Sequence, residues 1–142
     1  MTHIQSLNKS QHKGVKVDTV AAKAQGAGLH MMPVVLSEFQ KLAIQYPILF
    51  TKNGETGEFL TVALFGFEDG ENLFWQDGDW DAVYTPLNLR RLPFSIGKND
   101  SKQHAEDHDY LVCLDVDNPA IGADTGEALF DDAGAATPYL SA

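Results

Sequence analysis

Apolar and polar residues alternate along several short stretches of this chain. Four of them are typical of strands, since they are apolar or alternating and lie between turn residues: 15–20, 48–51, 59–67 and 110–116. The step Asn53-Gly54 separates the second stretch from the third, and Asn-Gly tolerates the backbone of a tight hairpin turn. The pattern therefore predicts an antiparallel hairpin over residues 48–67.

A second hairpin is predicted further along, where 72–75 and 80–84 flank a turn at 76–79. The apolar run 31–36 contains Pro33, which favours an edge strand because proline donates no ladder hydrogen bond.

Helix signals are few. Ser37 has the character of an N-cap, with Glu38 in the first turn. An apolar stripe then recurs with helical spacing until Pro47, at Phe39, Leu42, Ala43 and Tyr46. Thr85-Pro86 and Thr137-Pro138 are two more helix starts.

These elements show no regular alternation of strand and helix, which disfavours a parallel sheet. The predicted class is α+β, a mostly antiparallel mixed sheet of hairpins and a meander, with two or three short helices. Residues 15–142 are predicted to form a single domain. The polar residues 1–14 are predicted to form a flexible N-terminal arm.

Charge is unevenly distributed. Residues 1–34 carry four lysines against one aspartate, whereas 35–142 carry six Lys and Arg residues against nineteen acids, in a chain of net charge −10. An acidic body repels phosphate backbones, so a nucleic-acid partner is not expected. The N-terminus has no apolar core of a signal peptide, and no stretch approaches the ~18 apolar residues of a membrane span. We expect a cytoplasmic protein that does not insert into membranes.

Aromatic and basic residues offer one candidate binding face. Trp75 and Trp80 lie in the aromatic-rich half of the chain, and they can serve either as core or as anchors for a peptide or flat ligand. Arg90 and Arg91 are adjacent cations whose planar groups suit a carboxylate or phosphate, or alternatively an internal salt bridge to Asp115 or Asp117.

Acidic and histidine residues offer a second candidate. Asp115 and Asp117 flank Val116 at a strand end, so alternation places both carboxylates on one face, where they could share a proton or hold a cation. The alternative is a strand that turns polar where it ends. His30, His104 and His108 could join such a site, but the HExxH order of zinc hydrolases is missing. We expect no bound metal or other cofactor. Cys113 is the sole cysteine and sits in an apolar run typical of a buried, inert thiol.

Several short segments together resemble the SapC family of bacterial proteins. They occur in family order over about residues 15–140, at 30–35 with 38–39, 46–50, 72–74, 89–94, 114–117, 129–131 and 137–140. Members of that family usually continue past the last segment, so the resemblance leaves two alternatives: a short member of the family, or a chain truncated at its C-terminus.

The resemblance implies an accessory role alongside bacterial surface-layer or outer-membrane receptor systems, and no reaction is attached to it. Our leading hypothesis is a non-enzymatic interaction protein whose partner is a protein or peptide. The alternative is a small-molecule- or metal-dependent enzyme or binding module that uses Asp115 and Asp117. A third possibility is a structural subunit that pairs with its own copy as a homo-oligomer.

Overall fold

The computed structural model describes residues 3–99, 109–122 and 124–141. Within these residues it contains strands of two to six residues, namely β1 (Ile4–Ser6), β2 (Lys16–Val17), β3 (Met31–Pro33), β4 (Ile48–Lys52), β5 (Phe59–Leu64), β6 (Trp75–Gln76), β7 (Asp79–Trp80), β8 (Phe94–Lys98), β9 (Tyr110–Asp115), β10 (Ile121–Gly122) and β11 (Glu127–Ala128). Its α-helices are α1 (Lys9–His12), α2 (Thr19–Ala24), α3 (Phe39–Leu42), α4 (Leu87–Arg90) and α5 (Pro138–Ser141). Two 3-10 helices lie at Gln25–Gly28 and Leu36–Glu38.

All the strand pairs between these elements are antiparallel. The predicted α+β class, with mostly antiparallel strands and a few short helices, is therefore confirmed. The chain divides into two compact units: unit 1 comprises residues 1–22 and 92–142, and unit 2 comprises residues 23–91. The prediction of a single domain over 15–142 concerns how the whole chain folds, and it stays a prediction.

Unit 1 contains two three-stranded sheets, in the orders β1-β9-β8 and β10-β2-β11. Its core brings together the fully buried side chains of Leu114 on β9, Val17 on β2 and Leu129 directly after β11. The predicted strand at 110–116 is present as β9, and Cys113 on it is buried as expected. Most of β9 is less buried than its apolar sequence indicates.

The segment 15–20 was predicted as a strand, and this is only partly right. The strand β2 has two residues, and helix α2 begins at Thr19. The Asp18 carboxylate accepts the backbone N–H groups of Val20 and Ala21, both at 3.0 Å, and so caps the helix. Aspartate is a preferred N-cap residue, and the cap at Asp18 outweighs the alternation in front of it.

Part of the segment predicted as a flexible arm contributes to the sheet of unit 1. β1 pairs along β9, with Ile4 opposite Asp115, and α1 follows with a buried His12. Asn8 caps α1 by accepting the N–H of Ser10 at 2.8 Å. The flexibility of residues 1–14 itself stays a prediction.

Unit 2 contains the three-stranded sheet β3-β5-β4. The predicted hairpin is confirmed, because β4 pairs with β5 from Ile48 opposite Ala63 to Lys52 opposite Phe59. The turn is longer than the predicted Asn-Gly step: Asn53 accepts from Glu55 and Thr56, and the positive φ of 74° falls at Gly57. Strand β3 lies at one edge, as Pro33 predicts.

The second predicted hairpin is present, but its strands β6 and β7 have two residues each, fewer than the predicted 72–75 and 80–84. Its turn consists of Asp77 and Gly78 alone, with φ values of 53° and 83°. Two successive residues with positive φ form the turn that matches the twist of the flanking strands. The turn places Trp75 directly opposite Trp80.

Two predicted helix starts are wrong in detail. Val35, not Ser37, is the N-cap. The single helix predicted between Ser37 and Pro47 is divided into the 3-10 helix at Leu36–Glu38 and α3, which ends at Leu42. α4 begins at Leu87, so Pro86 precedes the helix and Thr85 does not cap it. The Glu38 carboxylate contributes to both helix starts, since it accepts the N–H groups of Val35 and Leu87 at 3.1 and 2.8 Å.

Candidate functional site

The predicted aromatic binding face lies partly inside unit 2. Trp80 is only 7% exposed, and its indole N–H donates to the Tyr46 hydroxyl at 2.8 Å. Its ring packs edge-on against Phe65, with centroids 5.0 Å apart, and lies nearly parallel to Phe74. An anchor for a partner has to reach solvent, so in this structure Trp80 stabilises the core of unit 2. The binding role predicted for it stays untested.

Trp75 differs from Trp80 because it is half-buried rather than buried. It lies on β6 opposite Trp80, and its backbone N–H is held by Asn72. The Asn72 side-chain amide also donates to the Gly26 carbonyl at 2.7 Å. This bond connects the segment before β6 to the 3-10 helix at Gln25–Gly28. Of the two tryptophans, Trp75 therefore presents the more accessible ring.

A buried carboxylate organises the helices of unit 2. Glu38 is 1% exposed, and three donors meet it: the N–H groups of Val35 and Leu87 and, at 3.2 Å, the Tyr84 hydroxyl. A buried carboxylate is costly unless its lone pairs are satisfied by hydrogen bonds. Glu38 therefore serves as a structural acceptor that joins α3, Tyr84 and the start of α4.

Two cations flank the ring of Tyr84. The Lys41 ammonium and the Arg90 guanidinium each lie 5.3 Å from the ring centroid. Burial raises the pKa of the Tyr84 hydroxyl above 10.0, the hydrogen bond to Glu38 raises it further, and Arg90 acts in the opposite direction. Cation–π contacts at partly exposed sites contribute about 0.5–1 kcal/mol. Arg90 is therefore engaged with its own unit, in addition to any role in binding.

Arg91 is exposed at the end of α4, where its backbone N–H bonds to Leu87. Of the two predicted anion-binding arginines, it presents its side chain more freely than Arg90. The predicted salt bridge from either arginine to Asp115 or Asp117 joins residues of different units and stays a prediction.

The carboxylates predicted as an acid pair have different surroundings. One oxygen of Asp115 accepts the N–H of His3 at 3.0 Å and the N–H of Asp117 at 3.3 Å, so this side chain caps the turn after β9. Asp117 is exposed. The structure thus gives Asp115 a structural role that the alternation of the strand did not predict.

The histidines of the second candidate site do not gather around these acids. His30 lies in unit 2, where its Nδ1 is 3.4 Å from the exposed Asp69 carboxylate. His104 and His108 lie outside the described residues. In the part of the chain that the structure describes, no group of three or more His, Cys, Asp or Glu side chains is placed to hold a metal ion.

Sequence reasoning missed a surface at the end of β5. Phe67 is 81% exposed, and it borders an apolar recess of 110 Å³ together with Pro47, Leu64 and Leu73. The recess is smaller than the ~300–1,000 Å³ of typical small-molecule sites. Its size and apolar lining suit one inserted side chain rather than a substrate.

The backbone beneath Phe67 is held in place. Its N–H donates to the Glu71 carboxylate at 2.6 Å, and Leu73 donates to the Phe65 carbonyl at 2.9 Å. A side chain at Gly66 would lie 2.4 Å from the Glu71 carbonyl oxygen, so this turn requires glycine. We predicted residues 59–67 as one strand, but β5 ends at Leu64. A sequence signal for this turn is Glu71, four residues after Phe67, because its carboxylate can accept the backbone N–H of Phe67.

Of three comparisons with known proteins, one gives a match. A family model described as SapC matches residues 7–142. No curated protein and no solved structure matches the chain. Among the described residues, no helix combines the length and the apolar character needed to cross a bilayer.

Proposed function

Because the chain belongs to the SapC family, we propose that it is a non-enzymatic accessory protein that binds a protein partner through an apolar surface of unit 2. The single observation that carries this proposal is Phe67, a large aromatic side chain that is mostly exposed on a hydrogen-bonded turn beside an apolar recess. Aromatic residues presented on fixed backbone are typical of interface anchors.

The partner surface is proposed to complement Phe67 in shape and charge. An apolar side chain of the partner would enter the recess beside Leu73, while a carboxylate of the partner would meet Arg91 or Arg90. Trp75 is the further aromatic contact on the same unit. We place this activity in the cytoplasm and associate it with surface-layer or outer-membrane receptor systems, as the family resemblance implies.

Position-specific crosslinking in the native bacterium tests the proposal. A photoreactive phenylalanine analogue at Phe67 should give one discrete product on gels, and mass spectrometry should identify the same partner in each preparation. The matched control places the analogue at Val83, which is also 81% exposed in unit 2. Leu73→Glu should abolish the product by placing a charge in the recess wall. Equal products from both positions, or a product insensitive to Leu73→Glu, would contradict the proposal.

A metal-dependent enzyme or binding module is the second candidate function, and the observation that favours it is the exposed carboxylate of Asp117. This carboxylate is exposed beside Asp115, and two acids in proximity can hold a divalent cation. Elemental analysis of protein purified without chelator, compared with Asp117→Asn, tests it. A stoichiometric metal that Asp117→Asn removes would favour this candidate over the interaction protein.

A further inference from the structure

Strand β4 has an open hydrogen-bonding edge. Leu64 donates its N–H to the Pro47 carbonyl at 3.0 Å, and Asn53 donates to the Glu58 carbonyl at 2.8 Å. In an antiparallel pair, residues alternate between facing the neighbouring strand and facing away. The register therefore directs the backbone of Leu49 and Thr51 to β5, and it directs the N–H and C=O groups of the even-numbered residues from Ile48 to Lys52 outward. No backbone partner for those outward groups lies among the described residues.

The opposite edge of the same sheet is obstructed. There β3 carries Pro33, which has no N–H to offer. The Pro33 carbonyl is also occupied, since it accepts the Asn88 side-chain amide at 2.6 Å. Proline and covered carbonyls are the devices by which sheets prevent pairing at an edge. Of the two edges of this sheet, β4 is therefore the one along which another strand could pair with backbone donors and acceptors.

The side chains at the open edge are apolar. Phe50 and Phe59 are 75% and 73% exposed, and the register places them diagonally on one face of the hairpin. Lys52 is the single charged residue in β4 and β5, although the chain as a whole is strongly acidic. The two strands, without their turn, are therefore a nearly uncharged area on an acidic protein.

We propose that β4 is a homodimer interface, in which β4 of a second copy pairs with it antiparallel about a two-fold axis at Phe50. In this register Phe50 faces its own copy, and Ile48 faces Lys52 of the second copy. Each outward residue then exchanges hydrogen bonds, about six in all. The strand is complementary to itself because its one charge meets an aliphatic side chain and not another lysine.

The aromatic side chains add to this pairing. In the joined sheet the two Phe50 side chains would face each other, and each Phe59 would lie diagonal to the Phe50 of its own copy on the same face. A single strand pair is a small interface, at or below the ~1,200 Å² of stable complexes, so we expect a weak, concentration-dependent dimer. This inference is independent of the proposed partner surface at Phe67.

Sedimentation velocity over a wide concentration range tests the proposal. The wild-type chain should shift from monomer to dimer as concentration rises. Phe50→Pro should weaken dimerisation at least about tenfold, because it removes an outward N–H but no ladder bond to β5. Phe59→Thr keeps every backbone donor and should weaken it less. A monomeric wild type at all concentrations, or a folded Phe50→Pro that dimerises normally, would overturn the proposal.

Hydrogen exchange on the wild-type chain provides a second test that needs no variant. The amides of Ile48, Phe50 and Lys52 should exchange more slowly at high than at low protein concentration. Those of Leu49 and Thr51, which bond to β5, are the internal reference and should change much less. A dimer that leaves the outward amides unprotected uses another surface, and the proposal then fails.

Discussion

The indole N–H of Trp80 and the hydroxyl of Tyr46 form a buried hydrogen bond 2.8 Å long. The Tyr46 hydroxyl in turn donates to the backbone carbonyl of Tyr84 at 2.6 Å. One hydroxyl thus satisfies both a buried donor and an acceptor, and it ties the β6–β7 hairpin to the segment before α4. The Tyr46 hydroxyl therefore connects two segments of unit 2 that are far apart in the sequence.

Tyr46→Phe should therefore destabilise the protein by about 2–4 kcal/mol, since it leaves the Trp80 N–H and the Tyr84 carbonyl without their partner. Urea unfolding followed by tryptophan fluorescence measures the change. Tyr110→Phe is the matched control, because Tyr110 is exposed and its loss should change stability by less than about 0.5 kcal/mol. Equal effects from the two substitutions would refute the role assigned to Tyr46.

Alkaline pH should destabilise the fold. Burial raises the pKa of the hydroxyls of Tyr46, Tyr84 and Tyr139 above 10.0, with nearby Glu127 adding to the effect at Tyr139. The folded state therefore retains protons that the unfolded state loses, so stability is complete below pH 10.0 and falls as pH rises further. The urea midpoint should decrease across that range, and less steeply in Tyr46→Phe. A midpoint that stays constant would contradict the prediction.

Glu38→Gln should cost about 1–3 kcal/mol, because an amide NH₂ replaces an acceptor oxygen that meets only donors. The same change should lower the pKa of Tyr84, since the hydrogen bond to Glu38 helps to raise it. Glu58→Gln, in the exposed hairpin loop, is the control and should be nearly neutral. Thermal unfolding and tyrosine absorbance titration check both parts. An unchanged unfolding temperature would show that the Glu38 carboxylate is not needed.

Gly97 and Cys113 should be energetically coupled. A methyl group on Gly97 would lie 2.9 Å from the Cys113 sulfur, so Gly97→Ala should cost about 1–3 kcal/mol. Cys113→Ala removes that sulfur, and the double variant should lose less stability than the two single variants combined, by at least ~0.5 kcal/mol. Chemical denaturation of the four proteins completes the cycle, and strictly additive losses would mean that the clash is relieved elsewhere.

Features encoded by neighbouring residues were predictable from the sequence. The β4–β5 hairpin follows from alternation around a turn, the edge position of β3 from Pro33, and the start of α5 from Thr137-Pro138. Each depends on propensities that act within a few positions.

Features that depend on distant partners were not predictable in the same way. The Leu87 N–H at the start of α4 donates to the Glu38 carboxylate, and the N–H of His3 donates to the Asp115 carboxylate. Local sequence patterns instead predicted Thr85 as the N-cap of this helix and Asp115 with Asp117 as an acid pair. Such patterns carry no information on which distant segments come into contact. The candidate site was the least predictable part. Trp75 and Trp80 lie in similar sequence surroundings, and only the packing of unit 2 shows that Trp80 is buried and Trp75 is not.

The pairing of β1 with β9 has a consequence for protein synthesis. His3 donates to Asp115, 112 positions later in the chain. A ribosome adds roughly 5–20 residues per second, so the N-terminal strand emerges roughly 5–20 seconds before its partner is made. Unit 2 is continuous and needs no such delay. During that interval β1 has no strand to pair with, and the β8–β9 pair can form only after most of the chain has been made.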